Sequence, residues 1–251
     1  MIKTIIRKFL TVYKNPYILY KVFFKERDIR KAKKYIINSG LEKFLIKGVD
    51  GEYACNEFDV CNIHKLIIKR KPNVVVEFGT GWSTIAITHA LYMNHKEDPS
   101  SNPKLYTTDA SEKWLANVKS KIPQFLEQFV DLRYSPVRAT LYEGELCHFY
   151  DRVPNVSPDF LYLDGPATPQ VEGEIHGIQF VKEHGQGRGP ISGDPLIYES
   201  SLRMERSRNF FMLVDGRWTN VQFLRRHLKR RYRFRRNRTH SFSTFELLER
   251  P

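Results

Sequence analysis

The sequence predicts a doubly wound α/β sheet of about seven strands, closed by a C-terminal antiparallel hairpin and preceded by a helical appendage. Three observations carry this. Asn73–Ala90 reads as strand, glycine turn and helix. Asp164 and Asp215 each end a short apolar run and Asp109 an alternating one, so three further strands finish in a carboxylate. Tyr232–Arg238 and His240–Leu248 alternate with almost nothing between them, the pattern of a hairpin.

At the N-terminus, Ile2, Ile5, Ile6, Phe9, Leu10 and Tyr13 recur at helical spacing, with Lys3, Arg7, Lys8 and Lys14 on the other face. Asn15-Pro16 breaks this helix, and an aromatic run over Tyr17–Phe24 leads into the basic stretch Lys25–Lys34. Residues 1–50 are therefore expected to form a basic amphipathic helical appendage that packs on the domain or on a second subunit. The alternative is a helix lying on an anionic membrane surface. Gly48-Val49-Asp50-Gly51 reads as a turn, and residues 51–251 as one domain. Glu57–Lys69 follows as a helix that buries Phe58, Cys61, Leu66 and Ile67, with His64 on its surface or in its packing.

Val74, Val75 and Val76 are β-branched and follow Pro72, as in a short strand buried on both faces. The strand ends at Glu77-Phe78-Gly79-Thr80-Gly81-Trp82-Ser83, and Ile85, Ile87, Ala90 and Leu91 continue as a helix. This geometry presents backbone N–H groups and a helix N-terminus to a ligand at the carboxyl end of a sheet. Gly79 and Gly81 allow a tight turn and close approach to that ligand. Ser83 replaces the third glycine of the dinucleotide pattern and could cap the helix instead. Glu77 would repel a pyrophosphate but suits a cationic or hydroxyl-rich ligand.

Asn94–Pro103 is a polar loop, and Lys104–Thr108 a second strand ending in Asp109-Ala110-Ser111. Glu112–Ile122 is the next helix, capped by Ser111. Asp109 lies one βα unit beyond the glycine turn, where a carboxylate can accept from ribose hydroxyls; a helix-capping role is the other reading. Val130–Tyr134 is a third strand, followed by a long irregular connection with Cys147, His148 and Tyr150. Phe160–Leu163 is the fourth strand, with Asp164-Gly165-Pro166 at its tip. A glycine-rich insert spans residues 167–209, expected to be helical over Val171–Lys182 and Leu196–Arg203 and to serve as a lid or acceptor segment. Phe210–Val214 is the fifth strand, ending in Asp215-Gly216-Arg217, and Asn220–Lys229 its helix.

An apolar strand, an acidic residue and then Gly-x-Gly, here EFGTGWST, resembles the first motif of class I S-adenosylmethionine-dependent methyltransferases. The Ser after the second glycine is most similar to their small-molecule O-methyltransferase-like branch. The resemblance covers residues 57–249 and implies a Rossmann-like fold that binds S-adenosylmethionine. By it Glu77, Gly79, Thr80, Gly81 and Ser83 surround the donor's amino-acid part, and Asp109 with Ala110 its ribose. It also places Asp164 and Asp215 on the acceptor side as catalytic carboxylates. Catechol O-methyltransferase-like enzymes hold a divalent metal at those two strand ends. Here Gly216 stands where they carry a further oxygen ligand, so a metal on Asp164 and Asp215 is not favoured, although Asn220 or Asp194 could supply oxygen. His176 is a general-base candidate, since imidazole titrates near neutrality.

Composition bounds the rest. The 251 residues, 41% hydrophobic, suffice for one sizeable domain. Three cysteines without CxxC spacing fit free thiols in a reducing cytoplasm, and no apolar run approaches membrane-spanning length. A soluble cytoplasmic protein is expected, peripheral to the membrane if the N-terminal helix binds lipid. The net charge of +13 gathers in Lys3–Lys34 and Arg225–Arg238. Nothing supports a nucleophile elbow, a P-loop lysine or a zinc site. The expected activity is methyl transfer to a hydroxyl or amine of a small or glycan-like acceptor, with homo-oligomerisation open. The alternatives are an RNA-binding protein or RNA methyltransferase using the Arg225–Arg238 run, and an NAD-dependent oxidoreductase.

Overall fold

The computed structural model describes residues 16–45, 57–185, 187–201 and 210–248. The Ile2–Tyr13 stripe, the Gly48–Gly51 turn, Cys55 and the far end of the helix expected over Leu196–Arg203 lie outside them. The chain begins with helices α1 (Pro16–Asn38) and α2 (Glu57–Arg70), then β1 (Val74–Phe78), α3 (Trp82–Glu97), β2 (Lys104–Asp109), α4 (Glu112–Lys119) and β3 (Val130–Tyr134). There follow β4 (Val137–Tyr142), β5 (Glu145–Tyr150), β6 (Phe160–Leu163), β7 (Val171–Glu172), α5 (Asp194–Ser201), β8 (Phe211–Asp215), α6 (Trp218–His227), β9 (Tyr232–Asn237) and β10 (Phe242–Leu247).

The main sheet has seven strands in the order β3-β2-β1-β6-β8-β10-β9. Its first five are parallel, and β10 and β9 close it antiparallel. This is the doubly wound, Rossmann-like α/β fold with a C-terminal hairpin. The order reverses between β1 and β6, and ligands of such sheets bind outside the carboxyl ends of the strands at that switch.

Strand alternation divides the core. Val75, Phe160, Tyr162, Phe211 and Leu213 face the layer of α1, α2 and α3, where Ile63, Ile67, Ile87 and Leu91 are almost wholly buried. Val76, Phe78, Leu161, Leu163, Met212 and Val214 face α5, α6 and a second sheet. Truncating one of these large aliphatic side chains to Ala costs about 2–5 kcal/mol.

That second sheet replaces the irregular connection expected around Cys147, His148 and Tyr150. β4 and β5 form an antiparallel hairpin from Val137↔Tyr150 to Tyr142↔Glu145, and β7 adds parallel to β4. Glu143 and Gly144 make the turn with φ of 49° and 82°. Positive φ at both central residues gives the twist that a two-residue hairpin requires.

The helix expected over Val171–Lys182 is also corrected. The segment forms β7 and a tight turn closed by the pair Ile175–Ile178. Gly173 and Gly177 take left-handed φ of 83° and 76°, which ends helical winding twice in five residues. The helix expected over Leu196–Arg203 is α5, which starts at Asp194.

Among the described residues, α1 is fastened to α2 by the Lys33–Glu57 pair at 3.3 Å and at two further points. Tyr35 Oη is hydrogen-bonded to His64 Nδ1 at 2.8 Å, and His64 Nε2 to His89 Nδ1 at 2.9 Å, linking α1, α2 and α3 in one partly buried chain. His64 is thus a packing histidine, and burial, then the neighbouring His89, push its pKa down to about 3. Further along, Asp28 pairs with His240 at 3.2 Å, and that imidazole stacks on Phe58 with ring centroids 3.4 Å apart. No helix among the described residues is long and apolar enough to cross a membrane.

Candidate active site

The tips of β1 and β2 build the first half of the site. β1 is buried, so Glu77 at its end is fully enclosed rather than presented to solvent. Its two oxygens accept from the Ser83 hydroxyl at 2.6 Å and the Thr84 hydroxyl at 2.7 Å. Burial pushes the Glu77 pKa up to about 7 against these hydrogen bonds. The Gly81 N–H donates to Thr84 Oγ1 at 2.9 Å, so Thr84 clips the glycine turn to the first turn of α3. Ser83 does not cap that helix; it holds Glu77.

Gly79 has φ of 91°, and a Cβ on it would stand 2.5 Å from Gly165 N. Gly81 differs: nothing lies within 4 Å of where its Cβ would be. The loop is therefore closed against the β6 tip at Gly79 and open at Gly81.

Asp109 sits at the end of β2, across from the loop. Its Oδ2 accepts from Thr80 N at 2.7 Å and Thr80 Oγ1 at 2.9 Å, and its Oδ1 from Ser111 N at 2.8 Å. Burial raises its pKa, opposed by these bonds and by one from Gln170. Ser111 caps α4 by accepting from Trp114 N at 3.2 Å, and Trp114 Nε1 donates to Thr80 O. Ala110, between Asp109 and Ser111, packs against the sheet-facing core.

The tips of β6 and β8 build the second half. The Asp164 side chain is about a third exposed, and Tyr162 Oη donates to its Oδ2 at 3.3 Å. Asp215 stands beside it. Burial first, then the negative charge of Asp164, push the Asp215 pKa up to about 7. Arg217 ties the rim together by donating to Pro166 O at 2.9 Å and to Asp164 O, with its guanidinium 4.0 Å from Asp164 Oδ1.

The structure thus gathers Glu77, Gly79, Thr80, Gly81, Ser83 and Asp109 at the first two tips and Asp164 with Asp215 at the next two. His176 stands apart from both groups by its setting: it is exposed on the Ile175–Ile178 turn at φ of 51°, not on a helix. Asp194 and Asn220 are committed elsewhere. Asp194 accepts from Tyr150 N at 3.0 Å and from the Ser192 hydroxyl at 2.7 Å. Asn220 exchanges two hydrogen bonds with the Ser192 backbone, at 2.9 and 3.0 Å. Among the described residues no three carboxylate, imidazole or thiol groups converge as metal ligands.

Sequence reasoning assigned no role to Thr84, Trp114, Arg217 or the hairpin residues His148 and Tyr150. Thr84 had a signal, since a hydroxyl three residues after Gly81 is placed to reach back to the turn. Tyr150 stacks on Phe78 with centroids 5.2 Å apart, and its hydroxyl feels Asp109, Asp194, Arg217 and Asp164.

No family model matches the sequence, and neither does any curated protein. Among solved structures, the S-adenosylhomocysteine-bound methyltransferase PaMTH1 of Podospora anserina is 12% identical. The match covers 86% of this chain and 88% of that one, with a TM-score of 0.49. The Bacillus cereus O-methyltransferase in complex with S-adenosylhomocysteine is 15% identical over 86% and 90%, at 0.44. The Streptomyces achromogenes O-methyltransferase TomG, in complex with S-adenosylmethionine, is 15% identical over 91% and 95%, at 0.46.

Proposed function

We propose that the protein is an S-adenosylmethionine-dependent methyltransferase acting on a hydroxyl or amine of a small or glycan-like acceptor. The observation that carries this reading is the pairing of an open glycine turn at Gly81 with the Asp109 carboxylate on the adjacent strand. The residues present fit the donor. The space above Gly81 accommodates a ligand against the backbone, and Asp109 offers acceptors to ribose hydroxyls once Thr80 yields. Glu77 acts through Ser83 and Thr84, whose hydroxyls it fixes beneath the donor's amino-acid part.

When bound, the donor supplies a sulfonium-activated methyl group and leaves as S-adenosylhomocysteine. The chain's own task is to align the acceptor, exclude water and take its proton. Asp164 is the proton acceptor in this reading, since its side chain is about a third exposed beside Asp215. Asp215, pushed up to about 7, holds a proton part of the time near neutrality and can then donate a hydrogen bond to the acceptor or to Asp164. His176, on its exposed turn, reaches this rim only if the insert moves. The donor set does not fit a divalent metal, because Asp194 and Asn220 are spent within the protein and Gly216 offers no side chain, so no step runs through one. The segment from residue 167 to 201 forms the acceptor wall, with Phe180 against His148 and Ser192 held by Asn220.

Part of the basic run at 225–238 is engaged internally. Arg226 pairs with Glu145, Lys229 with Glu143 and Arg233 with Glu246, while Arg225 and Arg236 lie over Phe234 and Trp218. These commitments favour a small acceptor over nucleic acid. Calorimetric titration with S-adenosylmethionine, S-adenosylhomocysteine and NAD tests the reading. Micromolar binding of S-adenosylhomocysteine is expected; binding of NAD without it overturns the proposal.

A further inference from the structure

The exposed cations and acids of this chain separate at one corner of the fold. The β9–β10 turn lies at the carboxyl end of the main sheet: Phe242 pairs with Asp215, and Ser241 O comes within 3.5 Å of where a Cβ on Gly216 would be. His240 in that turn binds Asp28 of α1 at 3.2 Å. Helix and hairpin therefore meet beside the tip of β8. Arg235 and Arg238 lead into the turn, and Arg30, Lys31 and Lys34 follow Asp28 within about two turns of α1. All five side chains are exposed. Among the described residues none of the five forms an ion pair or lies over a ring.

The acids around this corner are mostly committed. Asp28 holds His240 and Arg27, Glu57 holds Lys33, and Glu246 holds Arg70 and Arg233. The others nearby are exposed Glu26 and half-buried Asp59 and Asp215. Five exposed cations against one exposed acid leave a positive surface, felt across about 10 Å at 0.1 M salt. Arginine on an edge strand also keeps other chains from adding to it. That account covers Arg235 on β9 but leaves Arg30, Lys31 and Lys34, on a helix, unexplained.

We infer that this corner docks the protein on an anionic lipid bilayer. The inference goes beyond the methyltransferase reading and does not depend on it. Two observations favour lipid headgroups over nucleic acid. The rings among the arginines are used inside the protein: Arg225 lies over Phe234, Arg236 lies over Trp218 at 3.6 Å, and Tyr232 packs edge-on to Phe245. They are not set out to stack on bases, as rings of single-strand binders are. Apolar side chains also accompany the cations. Ile37, three residues after Lys34, is 58% exposed. In the sequence before α1, the Ile2–Tyr13 stripe carries Lys3, Arg7 and Lys8 on its other face. Apolar groups beside cations suit the boundary between acyl chains and headgroups, whereas a phosphate backbone offers the apolar groups nothing. Docking at this corner brings the rim beside Asp215 and Gly216 to the bilayer surface.

The test is flotation of the full chain with vesicles of phosphatidylcholine alone and of phosphatidylcholine with about a third phosphatidylserine. Fluorescence anisotropy of a labelled single-stranded RNA in the same buffer is the comparison. The protein should float with the phosphatidylserine vesicles, stay below with phosphatidylcholine alone, and be released as salt rises. Each cation near an anionic surface changes partitioning about fivefold. Arg235→Ala with Arg238→Ala should therefore weaken vesicle binding about tenfold or more, and so should Arg30→Ala with Lys34→Ala. Arg231→Ala, which removes an exposed cation at the other end of β9, should cost less. Melting temperatures should hold, because the substituted side chains are exposed and unpaired. Failure to float with phosphatidylserine, equal binding to both lipid compositions, or binding of RNA in place of vesicles overturns the proposal. So does undiminished binding in either double variant, or as large a loss in Arg231→Ala.

Discussion

Gly79 and Gly165 touch backbone to backbone across the point where the strand order reverses. A Cβ on Gly79 would stand 2.5 Å from Gly165 N, and one on Gly165 would stand 2.4 Å from Gly79 Cα. The Phe78 carbonyl, just before Gly79, accepts from both Asp164 N and Gly165 N. The Gly79–Gly81 loop and the Asp164 loop are thus held together, and the spacing of the two strand tips is set by the absence of two side chains.

Gly79→Ala and Gly165→Ala should each lower unfolding free energy by about 2–4 kcal/mol, since backbone cannot step aside as a side chain can. Gly79→Ala also pays for a left-handed φ. Gly81→Arg is the contrast. Its site is open and its φ of 173° is ordinary extended backbone, so the melting temperature should hold while S-adenosylhomocysteine binding is lost. Urea unfolding and calorimetry on the three variants separate the effects; equal destabilisation by all three would contradict this division.

In the proposed reading Asp109→Ala removes the acceptor for ribose hydroxyls; it also releases Thr80. Charge-assisted hydrogen bonds are worth about 1.5–3 kcal/mol, so donor affinity should fall about tenfold to a hundredfold. Thr80→Val, which removes only the hydroxyl that occupies Asp109, should leave affinity equal or improve it. Unchanged binding in Asp109→Ala would make this carboxylate a clamp for Thr80 and Ser111 and nothing more.

Glu77 gives a pH dependence of known sign. Its pKa is about 7 when folded, against 4.5 ordinarily. The folded state therefore holds more protons between those values, and stability drains away as pH rises from 4.5 through 7. Glu77→Gln should abolish that loss, worth about 3 kcal/mol between pH 5 and pH 8. Denaturant midpoints at the two pH values measure it; parallel wild-type and variant curves would mean that Glu77 is ionised when folded.

Asp164→Asn should keep the fold and most donor affinity while turnover falls about a hundredfold or more, the scale of acid–base assistance. The same substitution removes a charge that raises the Asp215 pKa, so Asp215 should titrate lower, visible in carboxyl 13C spectra. An unshifted Asp215 would place the two groups too far apart to act together. Chelator sensitivity of the wild-type rate would return a metal to this rim.

What the sequence made legible were the strands buried on both faces. Val74–Val76 and Phe160–Leu163 are continuous apolar runs ending in acid and glycine, so both the elements and the residues at their tips could be placed. The β4–β5 hairpin was not legible because Glu143-Gly144 stands where an Asn-Gly would announce the turn. The insert misled in the opposite sense. Val171, Ile175 and Ile178 recur at helical spacing, yet Gly173 and Gly177 between them turn the chain left-handed. Asp109 was read for its ribose position, and its present partner Thr80 was hidden because the bond crosses between two loops 29 residues apart. His148 and Tyr150 escaped because their packing on Phe180 and Phe78 is a property of surroundings and leaves no mark in residue order.

The contact between Asp28 on α1 and His240 beside β10 joins positions 212 residues apart. A ribosome adding about 5–20 residues per second needs some ten to forty seconds to cover that distance. Throughout that interval α1 has emerged while its stacking platform, the His240 ring on Phe58, does not yet exist. Contacts with α2 and α3 through the Tyr35–His64–His89 chain, the Lys33–Glu57 pair and buried Ala32 and Ile36 are available to it early, so it is the Asp28 end that waits for the hairpin. Fastening of α1 at its Asp28 end is therefore a late event of biosynthesis, completed only when the C-terminal hairpin arrives.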